Sequence, residues 1–131
     1  MYKRQAKAAA LAAHAPETVS ISGFSKEELA VACNDCDVLI NCTNLGMAGS
    51  PEFETLDFVD ALPQKTPVCD LIYHPLKTDL LARADAQDHP VMNGLPLLIH
   101  QAVLALEHFT QTKIDAAAML PLVEAALAKE T

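Results

Sequence analysis

Short apolar runs that alternate with helical segments are the feature that most constrains the fold of this chain. Residues 37–41, 68–72 and 90–92 are largely apolar, and each run is followed by polar residues or glycine. Such continuous runs are typical of parallel strands that are buried on both faces. The alternating segment 19–22 predicts one further strand. Strands separated by helices and short loops indicate a three-layer α/β domain with a parallel sheet.

The helices are predicted from alanine content, capping residues and periodicity. Ser25 and Glu28 form a capping box for a helix over residues 26–32, and Thr78 caps a helix over residues 79–86. Further helices are predicted over residues 6–13, 56–61, 95–109 and from Ile114 or Asp115 to about Lys129. In the long helix after Gly94, an apolar stripe is expected to face the sheet; it consists of Leu95, Leu98, Ala102, Ala105, Leu106 and Phe109.

Composition excludes several classes of function. The chain has 131 residues, 51% of them hydrophobic, which is enough for one domain with a real core. A net charge of -8, spread along the chain, argues against nucleic acid as a partner. The apolar stretches are too short for a membrane span, and the N-terminus is too weakly apolar for a secretory signal. We therefore expect a soluble cytoplasmic protein.

The four cysteines include one pair, Cys33 and Cys36, with the spacing of a redox motif or of metal ligands. No second pair accompanies it, and the surrounding sequence is not of the thioredoxin type. Reduced structural thiols are favoured over a functional pair, and no metal site is predicted.

Three segments place polar residues or glycine after a predicted strand, where open α/β sheets bind ligands. They are Asn41-Cys42-Thr43-Asn44-Leu45-Gly46-Met47, Asp70-Leu71-Ile72-Tyr73-His74-Pro75 and Asn93-Gly94-Leu95-Pro96-Leu97-Leu98-Ile99-His100-Gln101. Their order and spacing resemble the shikimate dehydrogenase family, from about residue 6 to the end of the chain. Pro96 and Leu97 depart from the Gly-Met that is common in that family.

The resemblance implies an NADP-dependent oxidoreductase that interconverts 3-dehydroshikimate and shikimate, with quinate as an alternative substrate. The residues that it assigns to the cofactor are Asn41, Thr43, Gly46, Met47, Leu71, Gly94 and Leu97. The residues that it assigns to the substrate are Tyr73 and Gln101. NADP rather than NAD follows from the family alone, and a homodimer is compatible with it.

Helix geometry favours the third segment independently of the resemblance. Gly94, Leu97 and Gln101 lie at positions i, i+3 and i+7 and share one helix face, distinct from the apolar stripe. A glycine admits a flat ring close to the backbone, and an amide one or two turns further on can bond a hydroxyl or carboxylate. Taken singly, each residue is better explained by structure alone: a turn for Gly94, a core ring for Tyr73, a solvated helix position for Gln101 and a strand-end cap for Thr43. Taken together, they favour the functional interpretation.

Parts of the expected site are missing from the sequence. The catalytic lysine and aspartate of the family belong to a substrate domain with no counterpart here, and no Gly-x-Gly turn opens a helix. In the strand order 3-2-1-4-5-6, segments 19–22 and 37–41 would be strands 3 and 4, so strands 1 and 2 are absent. The prediction is a partial Rossmann-like, doubly wound parallel sheet, truncated at the N-terminus. It would form the C-terminal part of a dinucleotide-binding domain and be inactive alone.

Residues 1–5, Met-Tyr-Lys-Arg-Gln, resemble the translation of a transposon adapter used in sequencing libraries. We interpret them as foreign to the native sequence. Two rival readings stay open: the cofactor domain of another dehydrogenase, against which Tyr73 and Gln101 argue, and a non-catalytic interaction module that pairs an edge strand with a partner.

Overall fold

A computed structural model describes residues 2–127 of the chain. Within them lie five α-helices, three strands and one 3-10 helix. They are α1 (Tyr2–Ala12), α2 (Lys26–Cys33), β1 (Leu39–Asn41), the 3-10 helix (Asp57–Ala61), β2 (Val68–Asp70), α3 (Asp79–Asp85), β3 (Val91–Met92), α4 (Leu95–Thr110) and α5 (Ala116–Leu127). Two residues named in the predictions lie outside the described residues: Lys129, the predicted end of the last helix, and Met1, the first of the five residues interpreted as foreign.

The three strands form one parallel sheet in the order β1-β2-β3. Leu39 is opposite Val68, which is opposite Val91, and Asn41 is opposite Asp70. This confirms the predicted α/β class with a parallel sheet. Strand β2 ends two residues earlier than predicted, because the Ile72 N–H donates to the Asp70 side chain at 3.0 Å instead of to a neighbouring strand.

Helix capping follows the sequence closely. The Ser25 hydroxyl accepts from the Glu28 N–H at 3.3 Å, and the Glu28 carboxylate accepts from the Ser25 N–H at 3.2 Å. This hydrogen bonding lowers the pKa of Glu28. Thr78 caps α3 by accepting from the Leu81 N–H at 3.4 Å. Both predicted caps are confirmed.

The main core covers one face of the sheet. Val68 packs there with α2, the 3-10 helix and α3, in a cluster of buried residues: Cys33, Phe58, Val59, Leu62, Val68, Leu80, Leu81 and Ala84. The opposite face carries Ile40, Cys69 and Met92, aligned across the strands. Ile40 is 50% exposed and Met92 49% exposed, so the described elements leave this face largely uncovered.

The predicted strand over residues 19–22 is wrong. These residues have no regular secondary structure, and Val19 and Ile21 are exposed. A strand needs a neighbour for its backbone N–H and C=O groups. The sheet pairs no described segment with this one.

The predicted apolar stripe of α4 is also wrong in most of its positions. The buried residues are Leu95, Ile99 and Val103, and they pack against α5 instead of the sheet. Phe109 is 82% exposed, and Ala102, Ala105 and Leu106 are exposed as well. Helix α4 is apolar on more than one side, so spacings of three and four allow several stripes, and the contact with α5 selects one of them. No helix within residues 2–127 is long and apolar enough to cross a bilayer.

Candidate functional site

The carboxyl ends of β1 and β2 meet through two buried polar side chains. Asn41 and Asp70 are adjacent in register, and the Asn41 Nδ2 donates to the Asp70 Oδ1 at 3.1 Å. They are 6% and 1% exposed. In a parallel sheet the carboxyl ends share one edge, so the loops that leave β1 and β2 start side by side.

The loop after β1 is shaped by Asn41. Its Oδ1 accepts from the Thr43 N–H at 2.9 Å and from the Thr43 hydroxyl at 2.7 Å, and its Nδ2 also donates to the Leu45 carbonyl at 3.2 Å. Gly46 then adopts a φ of 91°, in the left-handed region that favours glycine. Asn41 and Gly46 therefore shape the loop that follows β1.

The segment after β2 runs alongside this loop. The Ala48 N–H donates to the His74 carbonyl at 3.1 Å, which joins the two segments. The peptide bond between His74 and Pro75 is cis. Leu71 and Tyr73 are 40% and 45% exposed, so their side chains remain accessible.

Gly94 attaches the start of α4 to the end of β2. Its N–H donates to the Ile72 carbonyl at 2.8 Å. A Cβ at this position would lie 2.0 Å from the Leu71 carbonyl oxygen. The close approach of two backbones therefore accounts for the glycine, and the space that a side chain would fill is already occupied by Leu71.

An open cleft of about 600 Å³ lies between the first two segments. It is lined by Cys42, Thr43, Asn44, Met47, Ala48, Leu71, Ile72, Tyr73, His74 and Leu127. Its size is within the usual range for small-molecule sites. Of the residues assigned from the sequence, the structure brings Thr43, Met47, Leu71 and Tyr73 together here.

The other assigned residues lie elsewhere. Asn41, Gly46 and Gly94 support the loops and do not line the cleft. Leu97 and Gln101 share an exposed face of α4, as their spacing predicts, but they also lie outside the cleft lining.

The cleft also contains residues that were not assigned to it from the sequence. Those in the two loops neighbour the assigned residues; they are Cys42, Asn44, Ala48, Ile72 and His74. The motif segments were the available signal, since each of these five residues lies inside a segment or next to one. Leu127, at the end of the described part of α5, had no sequence signal because its position depends on how α4 and α5 pack.

The cleft combines polar and apolar side chains. Thr43, Asn44 and Tyr73 provide hydroxyl and amide groups, while Met47 and Leu71 provide apolar surface. Among residues 2–127, no lysine or arginine lines the cleft. The Asp70 carboxylate is buried, accepts from protein donors and does not line the cleft.

The paired cysteines are structural. Cys33 belongs to the main core, where burial raises the pKa of its thiol to about 11. The pKa of Cys36 is also raised, again by burial. Reactive thiols have lowered pKa values, so this pair lacks the property that a redox motif needs. No group of three or more His, Cys, Asp or Glu within residues 2–127 is placed to hold a metal ion.

Comparison with known proteins confirms the resemblance in sequence and in fold. No protein-family model matches the chain. The chain is 43% identical over 101 residues to "Shikimate dehydrogenase (NADP(+))" of Paramagnetospirillum magneticum, which covers 77% of the chain and 35% of that protein.

Two solved structures have a similar fold. A shikimate dehydrogenase in complex with NADP+ matches 75% of the chain and 34% of its own length, with 30% identity and a TM-score of 0.62. Quinate dehydrogenase from Corynebacterium glutamicum in complex with NAD matches 76% of the chain and 34% of its own length, with 28% identity and a TM-score of 0.64. The chain thus spans about a third of the length of the proteins that it matches.

Proposed function

We propose that this chain, which is related in sequence and fold to part of the shikimate dehydrogenases, is the nicotinamide-side part of such an enzyme. The whole enzyme would catalyse the NADP-dependent, reversible reduction of 3-dehydroshikimate to shikimate. The observation that carries this proposal is the cleft at the carboxyl ends of β1 and β2, where Thr43, Met47, Leu71 and Tyr73 converge.

The residues present fit one end of the cofactor. Apolar Met47 and Leu71 beside the polar Thr43 suit a flat nicotinamide ring with a carboxamide, and the cleft volume accommodates it. The phosphates have no cradle among the described residues, because no described lysine or arginine lines the cleft and no glycine-rich turn opens a helix. NADP, when bound, would supply or accept the hydride.

The roles of the protein residues in this proposal are binding and orientation. Asn41 and Gly46 would shape the cofactor loop, and Gly94 would hold α4 close to it. Tyr73 and Gln101 would bind the substrate, and Leu97 would contact the cofactor from α4. No residue of this chain is assigned the acid/base step, so we expect the chain alone to be inactive.

We also propose that the chain is the C-terminal part of the cofactor domain and works in the cytoplasm. The position in the domain is supported by three parallel strands in sequential order, as for strands 4, 5 and 6 of a doubly wound sheet. The location is supported by the cysteines, all four of which are free.

A chimera tests the function directly. The matching third of the Paramagnetospirillum magneticum enzyme would be replaced by this chain, and NADPH formation from shikimate or quinate would be followed by absorbance. We expect activity in the chimera and none in the chain alone. Tyr73→Phe should raise the KM for shikimate while leaving the KM for NADP+ unchanged, and His108→Ala, on the far end of α4, serves as a control. A folded chimera that binds NADP+ and oxidises neither acid would sink the proposal.

A second candidate function is supported by the sheet itself. Strand β1 has no neighbour on its outer side among the described strands. Ile40 within the strand and Val38 just before it are both exposed. An interaction module would use this edge to pair with a strand of a second copy of the chain. A chain that stays monomeric at high concentration in sedimentation experiments would exclude this candidate.

A further inference from the structure

We infer that Asp70 is the positioning residue of the cleft: its buried carboxylate sets the conformation of both loops that form the walls. The consequence for cofactor binding rests on the proposed function, whereas the positioning itself rests on the structure alone.

Three donors from three parts of the chain converge on Asp70. Its Oδ1 accepts from the Asn41 Nδ2 at 3.1 Å and from the Ile72 N–H at 3.0 Å. Its Oδ2 accepts from the Thr78 hydroxyl at 2.7 Å. The side chain is 1% exposed, so these donors replace water. A carboxylate suits this place because its two oxygens can accept from all three donors.

The first wall depends on Asp70 through Asn41. An amide side chain can be turned by 180°, and only hydrogen bonding decides which orientation it adopts. Asp70 and the Leu45 carbonyl both accept from the Nδ2 of Asn41, at 3.1 and 3.2 Å, and of these two only Asp70 is a side chain from outside the loop. The Oδ1 of Asn41 must then face Thr43, where it accepts from the N–H and the hydroxyl. The Thr43 hydroxyl in turn accepts from the Leu45 N–H at 3.1 Å, which closes the turn.

The second wall depends on Asp70 directly. The hydrogen bond to the Ile72 N–H bends the chain away from β2, and Leu71, Ile72 and Tyr73 then line the cleft. Thr78 connects the same carboxylate to the start of α3. Asp70 itself does not line the cleft. It therefore acts through its neighbours, not as an acid or base.

The test in the chain uses Asp70→Asn and Thr78→Val, observed by two-dimensional amide NMR. Asparagine replaces the Oδ2 acceptor by a donor, and valine removes the hydroxyl that donates to it. We expect both variants to move the amide resonances of Thr43, Leu45 and Ile72 and the side-chain NH2 of Asn41. Thr78→Ser keeps the hydroxyl and should restore the resonances. Asp85→Asn, an exposed carboxylate paired only with Lys77, is the matched control and should leave them unmoved.

Unmoved loop resonances in a folded Asp70→Asn variant would overturn the positioning role. If Asp70→Asn does not fold, the comparison of Thr78→Val with Thr78→Ser decides in the same way. Identical loop spectra for those two variants would again overturn the inference.

In the chimera with the Paramagnetospirillum magneticum enzyme, the KM for NADP+ and the pH dependence of kcat can be measured separately. Asp70→Asn should raise the KM for NADP+ about tenfold, because loss of one internal hydrogen bond to a charged group lowers by about that factor the fraction of molecules whose loops have the binding conformation. The pH dependence of kcat should keep its shape. Loss of one limb of that profile would show that Asp70 exchanges a proton in the reaction, and would refute a purely positioning role. An inactive wild-type chimera would count against the proposed function, while the NMR comparison would still decide the role of Asp70.

Discussion

Replacing Gly94 by alanine tests how closely α4 approaches β2. In the structure, an added Cβ would lie 2.0 Å from the Leu71 carbonyl oxygen, 2.4 Å from the Leu71 carbonyl carbon and 3.1 Å from the Ile72 carbonyl carbon. All three are backbone atoms, so no flexible side chain can move aside. Ordinary contact begins near 3.4 Å, and α4 must therefore shift by about 1.4 Å at its first turn.

Two contributions determine the expected loss of stability. Overpacking of a closed contact costs about 1–3 kcal/mol. The same shift stretches the hydrogen bond from the Gly94 N–H to the Ile72 carbonyl, now 2.8 Å, and leaving such a buried pair unmade costs a further 1–3 kcal/mol, roughly. We therefore expect Gly94→Ala to lower the free energy of unfolding by about 2–6 kcal/mol.

Urea denaturation followed by far-UV circular dichroism measures this difference. Gly49→Ala is the matched control, because a Cβ there meets no atom within 4 Å. Its φ of 78° is strained for alanine, so we expect a cost of only about 1–2 kcal/mol. A loss clearly below about 2 kcal/mol for Gly94→Ala would refute the close approach, and with it the steric explanation for this glycine.

Three further results are expected. At pH 8, iodoacetamide should alkylate the exposed Cys42 first, whereas Cys33, which is buried and has a pKa of about 11, should react only on unfolding. Fragmentation mass spectrometry locates the label, and equal alkylation rates for the two thiols would contradict the burial of Cys33. Leu80→Ala should lower the free energy of unfolding by about 2–5 kcal/mol, whereas Leu104→Ala, which is 65% exposed, should change it by about 0.5 kcal/mol or less. The pKa of Glu107 is lowered mainly by the hydrogen bond from the Ile114 N–H and also by Lys113. The contribution of Glu107 to the free energy of unfolding is therefore complete above the ordinary pKa of 4.5 and is lost as the pH falls through the lowered pKa. Wild type should therefore exceed Glu107→Gln in stability at pH 6 and lose this advantage in acid; a constant difference across that range would be inconsistent with the shift.

The helix caps and the strands show which features local sequence signals can predict. Ser25 and Glu28 predicted the start of the helix because a capping box is completed within four residues of the chain. The same holds for Thr78 at α3. The three apolar runs predicted the strands because such runs are typical of parallel strands. The burial on both faces that this pattern implies is not found among the described elements, which cover one face of the sheet and leave Ile40 and Met92 exposed on the other.

Signals of this kind fail when the partner is distant in the chain. Val19 and Ile21 alternate with polar residues as a strand would, but a strand also needs a neighbour that local sequence does not provide. In α4, the stripe of Leu95, Ile99 and Val103 was chosen by the packing of α5, which periodicity within α4 cannot reveal.

Only part of the candidate site could likewise be predicted from local sequence. The motif segments after β1 and β2 could be identified in the sequence, and the structure places Thr43, Met47, Leu71 and Tyr73 in one cleft. The role of each residue within the segments could not be identified in the same way. Nothing in the motif indicates that Asp70 accepts hydrogen bonds from Asn41, Ile72 and Thr78.

The sequence by itself determined the order of strands and helices, the helix caps and the three segments that follow the strands, because each depends on residues within a few positions of one another. Only the tertiary structure decided which face of α4 is buried, that segment 19–22 is not a strand, and that the Asp70 carboxylate connects Asn41, Ile72 and Thr78. The physical reason is that burial and hydrogen bonding between distant segments are properties of their spatial arrangement, which spacing along the chain does not encode.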